Sequence, residues 1–443
     1  MTAPPQRSMS GVLWLRKTWG LKNNPFPTEG VARLGGEDIR ENGLLFRPAV
    51  QQEKVDEAIE KFVVGAAFTG VRFGYLWSLG GGLGSDQRGF GKSSLLQYLV
   101  EKTNQDFGKE FFLNVGLEED EAEEHAICAV LASFDMVNAR SLAAVFFAAT
   151  QYACRFKTAD HPTLAERLRA RLVARLGTDD QARLVEAVLA VSDELRGRTL
   201  GPPNQEFIEL LCAGDSATLG RHIDAVKTGA RARVGAANYL ATFLLFTKAA
   251  GVPHMLLGCD QLEDFAATST TKQKRTVETE RFRDYVLELL PMADMLTTIV
   301  TLHPRAAQAI GEMWRLADLP SFDPTREENR PRVVVLDLLE TREQAEMLLQ
   351  PYLQVARKEE ADLDSLAPFG PDAIEVLFDR SHGKPRDLLR KAQALIQRGS
   401  DDNLDVITAQ NAALVLDSLI VQDDDEALAP IGGVSPAEGE WAF

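Results

Sequence analysis

Residues 84–94 read GSDQRGFGKSS and lie between a short apolar run, VRFGYLWSL (71–79), and SSLLQYLVEKTNQ (93–105), which has helical spacing. The apolar run predicts a buried strand and the glycine-rich stretch a loop. Gly89 and Gly91 can adopt positive φ, so that backbone N–H groups face phosphate oxygens. Strand, glycine loop and helix in this order predict a phosphate-binding loop within an α/β fold.

This loop contains the residue types that a nucleotide phosphate requires. Lys92 is expected to reach the β- and γ-phosphates, and the Ser93 hydroxyl is expected to bind Mg²⁺. Asp86 stands where the pattern G-x-x-x-x-G-K-[ST] has its first glycine. Because Asp86 precedes the residues that grip phosphate, we expect its carboxylate to point away from the nucleotide. The predicted cofactor-binding residues of the loop are Arg88, Gly89, Phe90, Gly91, Lys92, Ser93 and Ser94.

A second apolar run, HMLLGCDQLED (254–264), predicts a buried strand that ends in acids. Asp260 at the carboxyl edge of a sheet is suited to hold Mg²⁺ together with the loop serine. The alternative interpretation is a strand followed by a solvated acidic turn. Gln261 can orient a water molecule but cannot take its proton, so Glu263 and Asp264 are the nearby candidates for a general base. ATP binding with slow hydrolysis is the expectation that follows.

Four segments together resemble the AAA+ ATPases: GFGKSS (89–94), DQLED (260–264) with its strand, TLHPRA (301–306) and SHGKPRDLLR (381–390). The similarity is nearest to the origin-recognition and transposition-regulator branch and to the related STAND signalling ATPases, and it covers about residues 45–415. It implies a P-loop NTPase three-layer core with a parallel sheet, a helical insertion and a C-terminal helical lid domain.

The resemblance also implies roles for residues outside the two motifs. Thr301 and His303, at the polar end of the fourth strand, match the sensor of the γ-phosphate, although His303 also fits a structural turn. Arg386 matches the second sensor, an arginine that enters the site from the lid; the alternative is a solvated charge at a helix start. Arg281 and Arg283 are the candidates for an arginine finger, which in a ring or filament reaches the ATP of a neighbouring protomer.

Changes in composition divide the chain into predicted parts. An N-terminal segment (1–45) precedes an ATPase core (46–320), which Arg-rich helices interrupt at about 155–235. A strand plus helical lid domain (321–421) and a disordered acidic tail (422–443) complete the chain, because the tail lacks the apolar content to pack.

Apolar runs predict the remaining core elements. HAICAVLASF (125–134) is expected to form a helix. Besides 71–79, the expected strands are KEFFLNVGL (109–117), PHMLLGCDQLEDF (253–265), MLTTIVTLHPRA (295–306) and PRVVVLDLL (331–339).

Charge and cysteine content restrict the partners and the setting. The net charge of −17 repels nucleic acid, so DNA contact requires a local basic patch, for which the Arg-rich helices are the candidate. The alternative is a solvated bundle whose arginines pair with neighbouring acids. Four cysteines without a C-x-x-C pair argue against a zinc site and favour a reduced, cytoplasmic setting. No apolar run is as long as a membrane helix requires.

These features predict an ATPase that uses ATP and Mg²⁺ to regulate DNA transactions such as transposition, replication initiation or phage defence. It would form homo-oligomers with ATP and act through a partner protein. A STAND-like signalling switch or scaffold without direct DNA binding is the alternative, which Gln261 and the acidic charge favour. A metabolic kinase with the same loop is a third possibility, against which the long helical C-terminus with Arg386 counts.

Overall fold

A computed structural model describes residues 10–29, 38–78, 89–133, 141–157, 162–227, 234–262, 271–358 and 365–426. The chain divides into two compact units. The larger unit, Val31–Leu338, contains a parallel sheet with helices. The smaller unit combines Met1–Gly30 with Leu339–Phe443, and its regular elements within the described ranges are helices.

A parallel sheet of five strands forms within the described residues of the larger unit. Its strands are β1 (Phe73–Ser78), β2 (Ile127–Ser133), β3 (His254–Asp260), β4 (Leu296–Leu302) and β5 (Val333–Leu336). They are almost entirely buried, as in parallel sheets that helices cover on both faces. The strand order is β2-β3-β4-β1-β5, and every neighbouring pair is parallel. The sheet confirms the predicted α/β fold class.

Helices connect the strands and build the smaller unit. In chain order they are α1 (Gly11–Lys17), α2 (Gln52–Ala58), α3 (Gly65–Phe68), α4 (Lys92–Asp106), α5 (Lys109–Asn114), α6 (Glu119–Glu124), α7 (Ala144–Arg155), α8 (Leu164–Leu176), α9 (Gln181–Glu194), α10 (Gln205–Ala213), α11 (Ser216–Ala225), α12 (Val234–Ala249), α13 (Lys272–Arg283), α14 (Met292–Met295), α15 (Pro304–Leu316), α16 (Arg342–Ala356), α17 (Pro371–Ser381), α18 (Pro385–Asp401) and α19 (Ala409–Glu426). Within the described ranges, none of the helices has the length and apolar content needed to cross a membrane.

Alternate residues of each strand pack into two apolar cores, one on each face of the sheet. On one face, called the α4 face below, Leu76 of β1 and Leu256 of β3 pack with Leu96 of α4. On the opposite face, Tyr75 of β1 packs in a second core that includes Ile310 of α15. The two helices that follow β1 and β4 therefore cover opposite faces.

The path of the chain reverses between the neighbouring strands β1 and β4. After β1 the chain passes through α4 toward the β2 edge, whereas after β4 it passes through α15 and beyond β1 to β5. Right-handed crossovers that run in opposite directions place their helices on opposite faces. Open α/β sheets bind ligands at the carboxyl ends of strands where such a reversal occurs. This topology indicates the carboxyl ends of β1 and β4 as the position of a binding site.

Two predicted core elements are wrong. Residues 109–117, expected as a strand, contain α5, and residues 125–134, expected as a helix, contain β2. A run that is apolar throughout shows no polar face, so periodicity does not distinguish a buried strand from a buried helix. In α5, by contrast, Phe111 and Phe112 are buried while Leu113 is exposed. Only part of this short helix faces the core.

Aromatic side chains fix the N-terminal segment within the smaller unit. Nε1 of Trp14 donates to the backbone oxygen of Leu404 at 2.7 Å, and Nε1 of Trp19 donates to that of Asp405 at 3.0 Å. Phe26 is 1% exposed. Residues far apart in sequence thus form one helical unit.

The boundaries of the units differ from the predicted domains. β5 pairs with β1 and belongs to the larger unit, whereas the sequence grouped it with the helices at 321–421. α19 extends to Glu426, so residues 422–426 of the predicted disordered tail are helical. The rest of that tail, 427–443, lies outside the described residues.

A histidine is buried at the amino end of β3. Nε2 of His254 lies 2.9 Å from Oγ1 of Thr297 on β4, and this hydroxyl donates to the backbone oxygen of Val71 at 2.6 Å. A hydroxyl has one proton, so Thr297 accepts from His254, which carries its proton on Nε2. Burial, and to a smaller extent the charge of Arg72, lowers the pKa of His254 from 6.5 to about 3. The ring is therefore neutral in the folded protein near neutral pH.

His254 is expected to make the protein less stable in acid. Above pH 6.5 the ring is neutral in both the folded and the unfolded chain, and its contribution to stability is complete. As the pH falls from 6.5 to about 3, only the unfolded chain takes up the proton, which lowers the free energy of unfolding by about 1.4 kcal/mol per pH unit. Urea unfolding at about pH 7 and about pH 4.5 measures this effect. Between these two pH values, the free energy of unfolding of His254→Gln should fall by about 2–3 kcal/mol less than that of wild type.

The control variant is Thr297→Val, which removes the hydrogen-bond partner of His254 but keeps the titrating ring. It should be less stable at both pH values and should retain the steep pH dependence of the wild type. Equal pH dependence of wild type and His254→Gln would contradict the assignment.

Candidate functional site

Four neighbouring strands carry a buried polar side chain at or near their carboxyl ends. Ser78, Ser133, Asp260 and Thr301 are each at most 3% exposed. Each stands two or four residues after an apolar side chain of the α4 face, so strand alternation points it to that same face. We call these four residues the polar edge. It lies at the carboxyl end of the sheet, where the topology places a binding site.

The two glycines of the loop that the structure describes have the positive φ that the sequence allows. Gly89 and Gly91 have φ of 93° and 91°, values that residues with side chains rarely adopt. α4 begins directly after Gly91, so its first turn contains Lys92, Ser93 and Ser94. The positive end of the α4 dipole therefore lies at these residues.

Three hydrogen bonds connect the polar edge with the first turn of α4 and with itself. Nζ of Lys92 donates to Oγ of Ser78 at 2.7 Å. Oγ of Ser93 donates to Oδ2 of Asp260 at 2.6 Å. The Thr301 hydroxyl donates to Oδ1 of the same carboxylate. Both oxygens of Asp260 accept hydrogen bonds, which reduces the cost of burying its charge.

A glycine in β3 permits the close approach of α4 to the sheet. A Cβ at Gly258 would lie 2.7 Å from Cδ2 of Leu131 and 2.9 Å from Cδ1 of Leu96. Any larger residue would force these leucine side chains to move. Gly258 thus helps to bring Ser93 within hydrogen-bonding distance of Asp260.

Side chains at this place fit a magnesium ion that is bound to a phosphate group. The hydroxyl of Ser93 and the carboxylate of Asp260 are hard oxygen ligands, and Mg²⁺ in nucleotide sites takes one or two carboxylates with phosphate oxygens and water. Lys92, which is 8% exposed, adds a positive charge beside them. In the described part of the chain, no group of three or more His, Cys, Asp or Glu side chains could hold a metal ion.

Two predicted site residues have special surroundings. The Phe90 side chain is 1% exposed and packs in the apolar core of the α4 face, so only its backbone can face a ligand. Gln261, directly after Asp260, has φ of 58°. This left-handed conformation is uncommon for a residue with a side chain, and such outliers cluster at functional sites. Gln261 therefore stays a candidate member of the site.

The end of β4 carries the two residues predicted to sense a γ-phosphate. Thr301 belongs to the polar edge and contacts Asp260. Nδ1 of His303 accepts a hydrogen bond from the backbone N–H of Ala306 at 3.3 Å and caps α15. This cap is the structural role that the sequence allowed as the alternative for His303. Contact of Thr301 or His303 with phosphate stays a prediction.

Several predicted residues keep their roles as predictions only. Arg386 is the second residue of α18 in the smaller unit, where its Nε donates to the backbone oxygen of Glu29 at 3.1 Å. Its role as the second sensor concerns the other unit and is not tested by these contacts. The predicted residues outside the described ranges are Asp86, Arg88, Glu263 and Asp264.

The two arginine-finger candidates on α13 form ion pairs within the chain. Nη1 of Arg281 lies 3.2 Å from Oε1 of Glu278, and Nη1 of Arg283 lies 2.7 Å from Oε1 of Glu288. The side chain of Arg281 is 62% exposed and that of Arg283 is 30% exposed. Arg281 is therefore the more exposed of the two.

The arginines of α8 bind the carboxyl ends of other helices. Nε of Arg169 donates to the backbone oxygen of Cys212 in the last turn of α10, at 2.7 Å. Nε of Arg171 donates to that of Ala250 after α12, at 3.0 Å, and Arg175 reaches the same helix end. Positive side chains suit these positions because the last carbonyl groups of a helix are unpaired and carry its negative dipole end. Acidic partners are present as well, as the alternative of a bundle with paired arginines assumed. Arg171 also forms an ion pair with Glu123, and Arg155 of α7 forms one with Asp224.

Sequence reasoning missed two members of the polar edge, Ser78 and Ser133. Each is a single serine at the end of an apolar run, and a lone serine carries no motif. Strand alternation could have identified Ser78, since it stands two residues after Leu76 on the same face. Ser133 could be placed only after its register with Asp260 in β3 was known.

Substitution by valine at two threonines of β4 should change the free energy of unfolding in opposite directions. Thr301→Val removes a hydrogen bond to a buried carboxylate and should lower the free energy of unfolding by about 2 kcal/mol. Among the described residues Thr298 Oγ1 is buried without a hydrogen-bond partner, so Thr298→Val should raise that free energy by about 1 kcal/mol. Denaturant unfolding of the two variants measures both effects. A stabilised Thr301→Val protein would contradict the assigned contact.

Comparison of the chain with models of known protein families, with curated proteins and with solved structures gives no match. The AAA+ resemblance therefore stays an expectation based on the motifs quoted above. The case for the site depends on its geometry, in which a glycine loop, a helix start and an acidic strand end meet.

Proposed function

We propose that the chain binds ATP with Mg²⁺ at the carboxyl edge of its sheet and hydrolyses it slowly, as a P-loop ATPase of the AAA+ type. One observation carries the proposal, the hydrogen bond of 2.6 Å between Ser93 and Asp260. It joins two motifs that are 167 positions apart in the chain. Each motif alone has a structural explanation, but their meeting at the ligand-binding edge of a parallel sheet favours a shared function.

Each group of the site has a part in this proposal. The N–H groups of the loop and the dipole of α4 would hold the phosphates, with Lys92 as the neighbouring cation. Ser93 and Asp260 would hold Mg²⁺, which when bound neutralises charge on the phosphate oxygens. Gln261 would orient the attacking water and Glu263 would take its proton.

The order of the strands also supports the AAA+ proposal. In the sheet, β4 lies between β1, which leads into the glycine loop, and β3, which ends at Asp260. The same order brings Thr301 of β4 next to Asp260.

The biological role that we infer is regulation through a partner protein. The resemblance favours DNA transactions such as transposition, replication initiation or phage defence, with ATP-dependent homo-oligomers as the active form. One observation favours the STAND-like switch without direct DNA binding as the second candidate. The α8 arginines, which belong to the region of about 155–235 that the sequence offered as a DNA-binding patch, are engaged at the ends of α10 and α12, and Arg171 also pairs with Glu123.

Lys92→Ala is expected to weaken binding of ATP with Mg²⁺ by about tenfold or more, because a charged partner of the phosphates is lost. Lys102→Ala is the matched control, since Lys102 is on the same helix but pairs with Glu110 at 2.6 Å. Calorimetric titration measures the affinities. Equal ATP affinity of wild type and Lys92→Ala would overturn the proposed site.

A DNA titration separates the two candidate roles. If the chain acts directly on DNA, duplex DNA should stimulate ATP turnover, and the stimulation should fade as the salt concentration rises. If the chain is a switch, turnover should be unchanged by DNA while ATP produces oligomers in sizing chromatography.

Glu263→Gln should slow hydrolysis by about a hundredfold and leave ATP affinity unchanged, since the amide cannot accept the proton of the attacking water. Asp264→Asn tests the other candidate base in the same assay. Single-turnover measurements at saturating ATP separate the chemical step from binding. Unaltered turnover of Glu263→Gln would exclude Glu263 as the base.

A further inference from the structure

The ammonium group of Lys92 is buried and needs an acceptor. Lys92 is 8% exposed and Ser78 is 0% exposed, and their hydrogen bond of 2.7 Å lies inside the protein. A buried charge is costly unless it is hydrogen-bonded. The Ser78 hydroxyl provides such an acceptor where β1 ends.

The position of Ser78 is rigid, whereas the lysine side chain is flexible. β1 is an inner strand, and Trp77 and Ser78 are in register with Leu302 of β4 and Leu336 of β5. The backbone at Ser78 is therefore held by a neighbouring strand on each side. A lysine reaches its target through four methylene groups and has many rotamers, so one fixed contact removes much of its freedom.

Phe90 limits the movement of the ammonium group on another side. Nζ of Lys92 lies 6.0 Å from the centroid of the Phe90 ring, at the outer limit of a cation–π contact. The ring itself is fixed in the core of the α4 face. Ser78 and Phe90 are thus two fixed neighbours of the ammonium group.

We propose that Ser78 is a positioning residue, which keeps the ammonium group of Lys92 oriented toward a bound phosphate. This inference rests on the proposed function, because it assigns Lys92 to phosphate. A lysine ammonium has three N–H donors, so one can stay on Ser78 while the others serve a ligand. Ser78 then keeps its hydrogen bond with Lys92 both before and after the nucleotide binds, and it does not contact the nucleotide itself.

Nucleotide affinity in a double-mutant cycle tests the inference. Calorimetric titration with ATP and Mg²⁺, extended to millimolar nucleotide, compares wild type, Ser78→Ala, Lys92→Ala and the double variant. Ser78→Ala should weaken binding about tenfold in the wild-type background and should add nothing in the Lys92→Ala background. Ser78→Cys keeps the volume but provides a poor acceptor, so it should bind as weakly as Ser78→Ala. Thr298→Val, which removes a buried hydroxyl from the neighbouring strand, should bind as wild type does.

A second measurement is independent of nucleotide. The rate of acetylation of Lys92, determined by mass spectrometry on the protein without nucleotide, should rise in Ser78→Ala because the released ammonium group reaches solvent. Lys102 serves as the internal reference. An unchanged acetylation rate would overturn the inference even if nucleotide affinity falls.

The outcomes distinguish this inference from the proposed function. If Lys92→Ala weakens ATP binding but Ser78→Ala does not, the site stands and the role of Ser78 is wrong. If Ser78→Ala weakens binding equally with and without Lys92, Ser78 acts through the fold, and the inference is again wrong. If Lys92→Ala binds ATP as wild type does, the proposed function itself fails.

Discussion

The contact between Ser93 and Asp260 depends on how closely α4 approaches the sheet. Gly258 permits that approach, since a Cβ there would meet the side chains of Leu131 and Leu96. Once α4 lies at this distance, its first turn reaches the carboxyl ends of β1 and β3, where Ser78 and Asp260 accept from it. The candidate site therefore lies where the first turn of α4, packed on a glycine-containing strand, meets the carboxyl ends of β1 and β3.

Local patterns identified the parts of the site that are local in sequence. The glycine loop is recognisable because Gly89 and Gly91 need positive φ, and Asp260 because an apolar run stops there. Strand order and register are not local, so the sequence did not place Thr301 against Asp260 or show that Ser78 faces Lys92. The strand β2 was mistaken for a helix because a wholly buried element has no polar side in either conformation.

Charged residues were the least predictable from sequence. The sequence predicted that the arginines of the Arg-rich region, among them Arg169 and Arg171, are solvated or bind DNA. Arginine on an amphipathic helix faces water in most proteins. Both bind backbone carbonyl groups at the ends of α10 and α12, and Arg171 also pairs with Glu123; no motif encodes these contacts. Lys92 and Asp260 show the opposite case. Their motifs place Lys92 at the start of a helix and Asp260 at the end of a buried strand, and both side chains are buried there.

The helices between β2 and β3 share one continuous apolar core with the sheet. Leu168 of α8, Phe207 of α10 and Phe243 of α12 pack in the same core as Val130 and Leu257 of the strands. They are therefore a layer of the domain and not an appended module. A shortened chain that lacks them would expose one face of the sheet to water, so this region can change in its surface residues far more easily than in its length.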